Sequence, residues 1–258
     1  MTSTHEQPAE QRESARIGLA ATGLSKAFGG VRAVDDATVS FHHGKVNALI
    51  GPNGSGKTTF FNCVTGMIKP DSGTVTYDGA DITGKAAHRI ARAGIGRSFQ
   101  LCRIFPRMTV LENVLAAVRP PSRTRLLASA HHRDDVARAR ELLSRVGIEH
   151  LERADARDLS YGQQKLLELA GVLMADPDTI MLDEPAGGVN PALIERIAGL
   201  VRSLNAEGKT FIVVEHNMEL VMSLSDHVVV FDRGRRISEG PPSVVQNDPR
   251  VLEAYLGV

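Results

Sequence analysis

The chain has 258 residues, enough to bury a sizeable core in about one domain. Lys plus Arg and Asp plus Glu number 30 each, so net charge provides no general attraction to nucleic acid, and no nucleic-acid partner is expected. The two cysteines, Cys63 and Cys102, form no Cys-x-x-Cys pair; this signals neither a zinc site nor a disulfide framework and reads as free thiols in a reducing compartment.

Residues 1–16 are polar, rich in Glu, Gln, Ser and Thr, and lack the apolar stretch of a secretory signal, so they read as a disordered tail. Ile17 to Lys26 and Val31 to Phe41 then read as strands joined by a turn at Phe28-Gly29-Gly30, with a polar turn at His42-His43-Gly44. Lys45 to Ile50 predicts a buried strand that runs into a glycine-rich loop and a helix from about Lys57 to Met67. Thr74 to Tyr77 alternates and meets the turn pair Asp78-Gly79, and Ala86 to Ala93 has helical spacing.

Residues 108–176 differ in character. Thr109 to Val118, Asp134 to Val146 and Gln163 to Met174 repeat apolar residues at i, i+3 and i+4, which predicts a helical subdomain inserted over about residues 101–176. Arg119 to Arg125 reads as a loop, and the basic stretch Arg119 to Arg133 as solvated. Strands return at Thr179 to Leu182 and Thr210 to Val214 around a helix from about Pro191 to Leu204, an alternation that implies parallel strands with right-handed crossovers. A hairpin at Asp232-Arg233-Gly234 follows, and short helices over about residues 243–257 finish the chain. The longest apolar runs, such as Val228 to Phe231, are of strand length, far below the roughly 20 residues of a membrane helix. The fold class is therefore α/β, with an antiparallel β subdomain and an inserted helical one.

Five short motifs carry chemistry. In the first, Gly51, Pro52, Asn53, Gly54, Ser55, Gly56, Lys57, Thr58 and Thr59 form a loop whose backbone N–H groups can surround phosphate oxygens, because glycine permits the close approach. The helix start adds its positive dipole end, Lys57 is expected at the β and γ phosphates, and the Thr58 hydroxyl on Mg²⁺. In the second, strand Thr179 to Leu182 delivers two acids to a sheet edge: Asp183 for Mg²⁺, and Glu184 to orient and deprotonate an attacking water.

The third is Gln100, after strand Ile95 to Phe99, whose amide can touch both Mg²⁺ and that water. The fourth is His216, after Glu215 at the end of a strand, where it can position the γ-phosphate and the water. In the fifth, Ser160, Gly162 and the helix starting near Gln163 repeat the anion-binding logic as a second phosphate grip, read as acting across a dimer interface; a simple helix cap is the alternative. Phe28 could stack on adenine or could be a core residue on a strand edge. His42-His43 and His131-His132 lack ligand spacing and read as solvated turns.

Taken together, these residues resemble the P-loop ATPase subunit of ABC transporters over residues 17–258. The closest likeness is to the ATPases of branched-chain amino acid importers. It rests on Phe28-Gly29-Gly30, the run from Gly94 to Gln100, Phe105 to Val110 with Glu112-Asn113, Tyr161, the run from Glu184 to Pro191, Glu215 to Met218, and the ending Glu253 to Gly257. Two departures fall in the loop after the acid pair: Gly187-Gly188-Val189-Asn190 stands where the family often has Ala-Gly-Leu-Asn, and Asn190 replaces an Asp common in the wider superfamily.

The resemblance implies an ATPase with ATP and Mg²⁺ as ligands, working at the cytoplasmic face of a membrane. It further implies a second ATPase subunit, identical or not, two transmembrane permeases, and through them an extracytoplasmic binding protein. An importer of urea or amides, an exporter, and a soluble ATPase acting on DNA or ribosomes are the alternatives. The soluble forms carry long coiled-coil insertions or a second cassette, for which the interval from Lys57 to Ser160 leaves no room. A GTPase is disfavoured because no Asn-Lys-x-Asp motif is present.

Overall fold

The computed structural model describes residues 16–98, 103–118 and 133–256. The reading of residues 1–15 as a tail, Gln100 as a sensor, Cys102 as a free thiol, Arg119 to Arg125 as a loop and His131-His132 as a solvated turn lies outside the described residues.

Among the described residues the chain builds two sheets. The long strands β1 (Ile17–Phe28) and β2 (Val31–His42) pair antiparallel, and β4 (Ser72–Tyr77) and β5 (Ala80–Asp81) extend them in the order β2-β1-β4-β5. The second sheet comprises β3 (Val46–Ile50), β6 (Ile95–Arg97), β7 (Thr179–Asp183), β8 (Thr210–Val214), β9 (His227–Asp232) and β10 (Arg235–Gly240). Its order is β10-β9-β3-β8-β7-β6, parallel except for the β9–β10 hairpin. Strands β3, β7 and β8 are buried at every residue, as central strands covered on both faces should be.

Helix α1 (Lys57–Val64) packs between the two sheets. Phe60 meets Phe231 edge-on at 5.3 Å and Phe41 at 6.3 Å, so one aromatic cluster joins β9, α1 and β2. Each fully buried Phe contributes about 1.5–3 kcal/mol of apolar transfer. The helix ends at Val64 rather than near Met67, because Gly66 takes the left-handed conformation (φ +70°) and closes it, Gly66 N donating to Cys63 O at 3.2 Å and Met67 N to Asn62 O at 2.9 Å. Cys63 is buried there, and burial pushes its thiol up to about 11, which makes it an inert core residue.

Helix α2 (Ala87–Arg92) precedes β6. The inserted region holds α3 (Val110–Leu115), α4 (Arg133–Val146) and α5 (Tyr161–Met174), and packs as expected. Ala139, Leu142, Leu143 and Val146 form the buried stripe of α4 at helical spacing. Helix α3 is shorter than the spacing of Thr109 to Val118 predicts, and starts at a capping box between Thr109 and Glu112. The remaining helices are α6 (Pro191–Ala206), α7 (Met218–Leu224), α8 (Pro242–Val245) and α9 (Pro249–Leu256). Among the described residues no helix is long and apolar enough to cross a membrane.

Of the pair His42-His43, read as a solvated turn, only His43 lies in the turn. His42 closes β2 and its ring meets that of His227 edge-on with centroids 4.5 Å apart.

Candidate functional site

Strand β3 delivers the chain to the loop Gly51–Gly56, whose backbone only glycine permits at two points. Gly51 has φ +149° and a Cβ there would lie 2.1 Å from the Phe231 carbonyl oxygen; Gly56 has φ +98° and its Cβ would lie 2.1 Å from the Ala33 carbonyl oxygen. Both obstacles are main chain and cannot step aside. The β9–β10 turn supports the loop from below: Gly234 N donates to Ser55 O at 2.9 Å, Asp35 N donates to Gly234 O at 2.9 Å, and Arg235 pairs with Asp35 at 2.7 Å.

Lys57 is buried and curls back over the loop, its Nζ donating to Gly51 O at 2.7 Å and Pro52 O at 2.9 Å. Burial lowers the pKa of this ammonium, while the nearby Glu184 and Asp183 act to raise it. The Ser55 hydroxyl is buried without a hydrogen-bond partner, and Thr58 is exposed at the start of α1. An orphan hydroxyl, a cationic side chain on loop carbonyls and the first turn of a helix form a cradle that fits a polyphosphate. Among the described residues there is no group of three or more His, Cys, Asp or Glu placed to hold a metal ion.

Asp183 and Glu184 stand at the end of β7 as expected, but with neighbours that sequence spacing did not reveal. Asp183 is 3% exposed and receives Arg97 Nη2 at 2.8 Å; Arg97 also donates to Asn62 Oδ1 at 2.7 Å and Thr65 Oγ1 at 2.8 Å. Arg97 therefore ties the buried acid to α1, the helix that begins at Lys57. Glu184 has φ +50°, the left-handed region that costs a non-glycine residue about 1–3 kcal/mol. Hydrogen bonds hold the turn there: Glu184 N donates to Val214 O at 2.9 Å, and Glu184 O accepts Gly187 N at 3.0 Å and Lys165 Nζ at 2.9 Å.

His216 follows β8, with a side chain 59% exposed and Nδ1 3.9 Å from Glu215 Oε2. Glu215 itself is fully buried.

Ser160 and Gln163 form a reciprocal capping box at the start of α5: Gln163 N donates to Ser160 Oγ at 3.4 Å, and Ser160 N donates to Gln163 Oε1 at 2.9 Å. The cap reading is thus the observed local geometry. It also presents a hydroxyl and a helix N-terminus at an open groove of about 510 Å³, lined by Ser160, Tyr161, Gly162, Gln163, Gly188, Asn190 and Arg196 among others. None of the residues 51–59 lines that groove. Asn190 caps α6 by accepting Leu193 N at 2.9 Å.

Phe28 is 49% exposed at the end of β1, which removes the core alternative for this residue. Arg97, Lys165 and Glu215 are the residues that reading by motif passed over. The signal for them was a charged residue inside an otherwise apolar strand or helix face: charge seldom stays buried without a partner.

The sequence profile of the ABC transporter family matches residues 34–187, and a C-terminal profile described as branched-chain amino acid ATP-binding cassette transporter matches residues 235–258. The high-affinity branched-chain amino acid transport ATP-binding protein BraF of Pseudomonas aeruginosa is 39% identical over 248 residues, covering 93% of this chain and 97% of the relative. LivG of Escherichia coli K12, a protein of the same description, is 38% identical over 249 residues, covering 93% and 97%. Among solved structures, a nucleotide-free ATP-binding cassette from an ABC transporter superposes with a TM-score of 0.84 at 35% identity, covering 94% of this chain and 100% of the other. The ADP conformation of the cassette MJ1267 gives 0.83 at 35% identity, covering 95% and 100%.

Proposed function

Since the chain belongs to the ABC transporter family, among the branched-chain amino acid transport ATP-binding proteins, we propose that it powers import of branched-chain or related amino acids by hydrolysing ATP at a site completed by a second ATPase subunit. The observation that carries the shared site is the separation of two anion-binding devices in one chain: the Lys57 loop and the Ser160 helix start do not line a common groove. In this reading a nucleotide held by the first device meets the second from another subunit.

In this reading the backbone of Gly51 to Thr59 and the Lys57 ammonium hold the β and γ phosphates, and Lys57 exchanges its two loop carbonyls for phosphate oxygens. Thr58, Asp183 and Gln100 hold Mg²⁺, which supplies charge neutralisation on the phosphate oxygens when bound. Glu184 orients the water and takes its proton, His216 positions water and γ-phosphate, and exposed Phe28 stacks on adenine. Ser160, Gly162 and Gln163 close on the nucleotide of the opposite subunit.

Closure of the pair and its reopening after hydrolysis would drive two permeases between their inward- and outward-facing states, with the chain peripheral at the cytoplasmic face. A groove of about 240 Å³ lined by Arg103, Phe105, Asn113 and Glu168, between the sheet edge and the helical region, is the place where the permeases receive that motion. The specificity for cargo belongs to the membrane and binding-protein partners.

The test is affinity capture of the Glu184→Gln chain with Mg-ATP from gently solubilised native membranes. Two permeases and a second ATPase should co-purify. Recovery of ribosomal or DNA-bound partners without membrane proteins would overturn the importer reading.

A further inference from the structure

Glu215 is fully buried, yet it is neither apolar nor part of the sequence motifs assigned to the reaction. Its two carboxylate oxygens reach in different directions. Oε1 accepts Ala186 N at 2.7 Å, and Oε2 accepts His216 N at 3.0 Å and Asn217 N at 3.3 Å. Ala186 belongs to the turn that begins at Glu184; His216 and Asn217 form the loop that opens α7. One side chain thus clamps the two segments that carry Glu184 and His216.

The choice of residue is informative because burying a carboxylate is costly unless hydrogen bonds solvate it, and a hydrophobic residue at the end of β8 would be less demanding. An ionised carboxylate is an acceptor on both oxygens, so it alone can serve N–H groups on both sides. An amide of the same shape would turn a donor toward one of the two loops.

The turn also needs holding, since Glu184 sits at φ +50°. Strand β8 and the residue after it meet the turn twice: through Val214 O, which accepts Glu184 N at 2.9 Å, and through Glu215 Oε1, which accepts Ala186 N. The His216 imidazole, by contrast, has its Nδ1 3.9 Å from Glu215 Oε2, beyond hydrogen-bond length, so the control over His216 runs through its backbone.

We propose that Glu215 is a positioning residue for hydrolysis, whose carboxylate fixes the Glu184 turn and the His216 loop in one mutual register. This rests on the roles given above to Glu184 and His216. Nucleotide binding is carried by the Lys57 loop and should not depend on the clamp.

The experiment compares the membrane complex carrying the unsubstituted chain with complexes carrying Glu215→Gln, for kcat and KM of ATP hydrolysis and for amide hydrogen exchange. Glu215→Gln should lower kcat about 100-fold with KM changed by less than about two-fold, the signature of lost geometry at the reacting atoms. The amides of Ala186, His216 or Asn217 should lose protection while residues 51–59 keep theirs. On a Glu184→Gln background, where the base is already absent, the same substitution should change turnover by less than about two-fold.

If Glu215→Gln does not fold, Glu215→Asp, which keeps the charge but is too short to span both loops, should give the same split of kcat from KM. An unchanged kcat, or a KM that rises in step with the loss of kcat, overturns the proposal. Absence of ATP turnover in the unsubstituted complex overturns the reading beneath it as well.

Discussion

Lys165 Nζ, on the helix that begins at Ser160, donates to the main-chain carbonyl oxygen of Glu184 at 2.9 Å. The same ammonium reaches Pro185 O at 3.3 Å and lies 5.4 Å from the centre of the Tyr161 ring. A buried cation thus links the capped helix α5 to the turn that carries the proposed catalytic base, within a single chain.

Lys165→Met keeps much of the stem but leaves both carbonyls without this donor. It should destabilise the fold by about 1–3 kcal/mol and lower ATP turnover, because the turn is then free to leave its left-handed conformation. Thermal denaturation and steady-state hydrolysis check the two effects separately; an unchanged melting temperature would show that the link bears no load.

Glu184→Gln preserves size and should leave ATP affinity intact while lowering turnover by about 10²–10⁴-fold, the usual contribution of a general base. Nucleotide retained on the purified variant after gel filtration with Mg-ATP measures the first, and phosphate release the second. Rapid turnover by this variant would sink the assignment of Glu184 as base.

Gly56→Ala places a methyl group 2.1 Å from the Ala33 carbonyl oxygen at a φ of +98°. The loop must shift to accept it, so nucleotide binding should fall by at least about 100-fold in calorimetry, with a backbone strain cost of about 1–3 kcal/mol in denaturant unfolding.

Phe28→Ala removes a ring that is 49% exposed and lies under Lys26 Nζ, 5.6 Å from its centre, so folding stability should fall by no more than about 1 kcal/mol. Loss of adenine stacking should weaken ATP by about 1 kcal/mol, roughly five-fold in the dissociation constant, while Phe28→Tyr should restore it.

Burial first, then the facing His227, hold the His42 imidazole below its ordinary value of 6.5; Lys45 acts in the same direction and Glu239 opposes it. In the unfolded chain this group takes up a proton near 6.5, whereas in the fold it resists doing so until lower pH. Stability contributed by keeping His42 neutral is therefore present above 6.5 and is lost as pH falls from there toward the folded-state pKa. The urea midpoint should be lower at about pH 5.5 than at about pH 7.5, and His42→Gln should flatten that slope.

The core elements of this fold were legible because strand β3, the loop and α1 follow one another without interruption, and each has a clear period or composition. Helix α7 was not: it spans only Met218–Leu224 and is set by the Asn217 cap, whose side chain accepts Leu220 N at 3.0 Å. The helix after the glycine-rich loop was read three residues too long, because the reading ran past its glycine stop: Gly66, at φ +70°, closes the helix with Met67 N donating to Asn62 O at 2.9 Å.

The sequence by itself determined the glycine-rich loop, the acid pair, the capped helix at Ser160 and the position of His216. Phosphate chemistry demands particular residue types at short fixed spacing, and such spacing survives in one dimension. Tertiary structure alone decided what holds those groups in place. Arg97 meets Asp183 across 86 residues, Glu215 meets Ala186 across 29 and Lys165 meets Glu184 across 19, separations that carry no period. A buried charge must find its partner wherever the chain returns, and only the order of strands in the sheet says where that is.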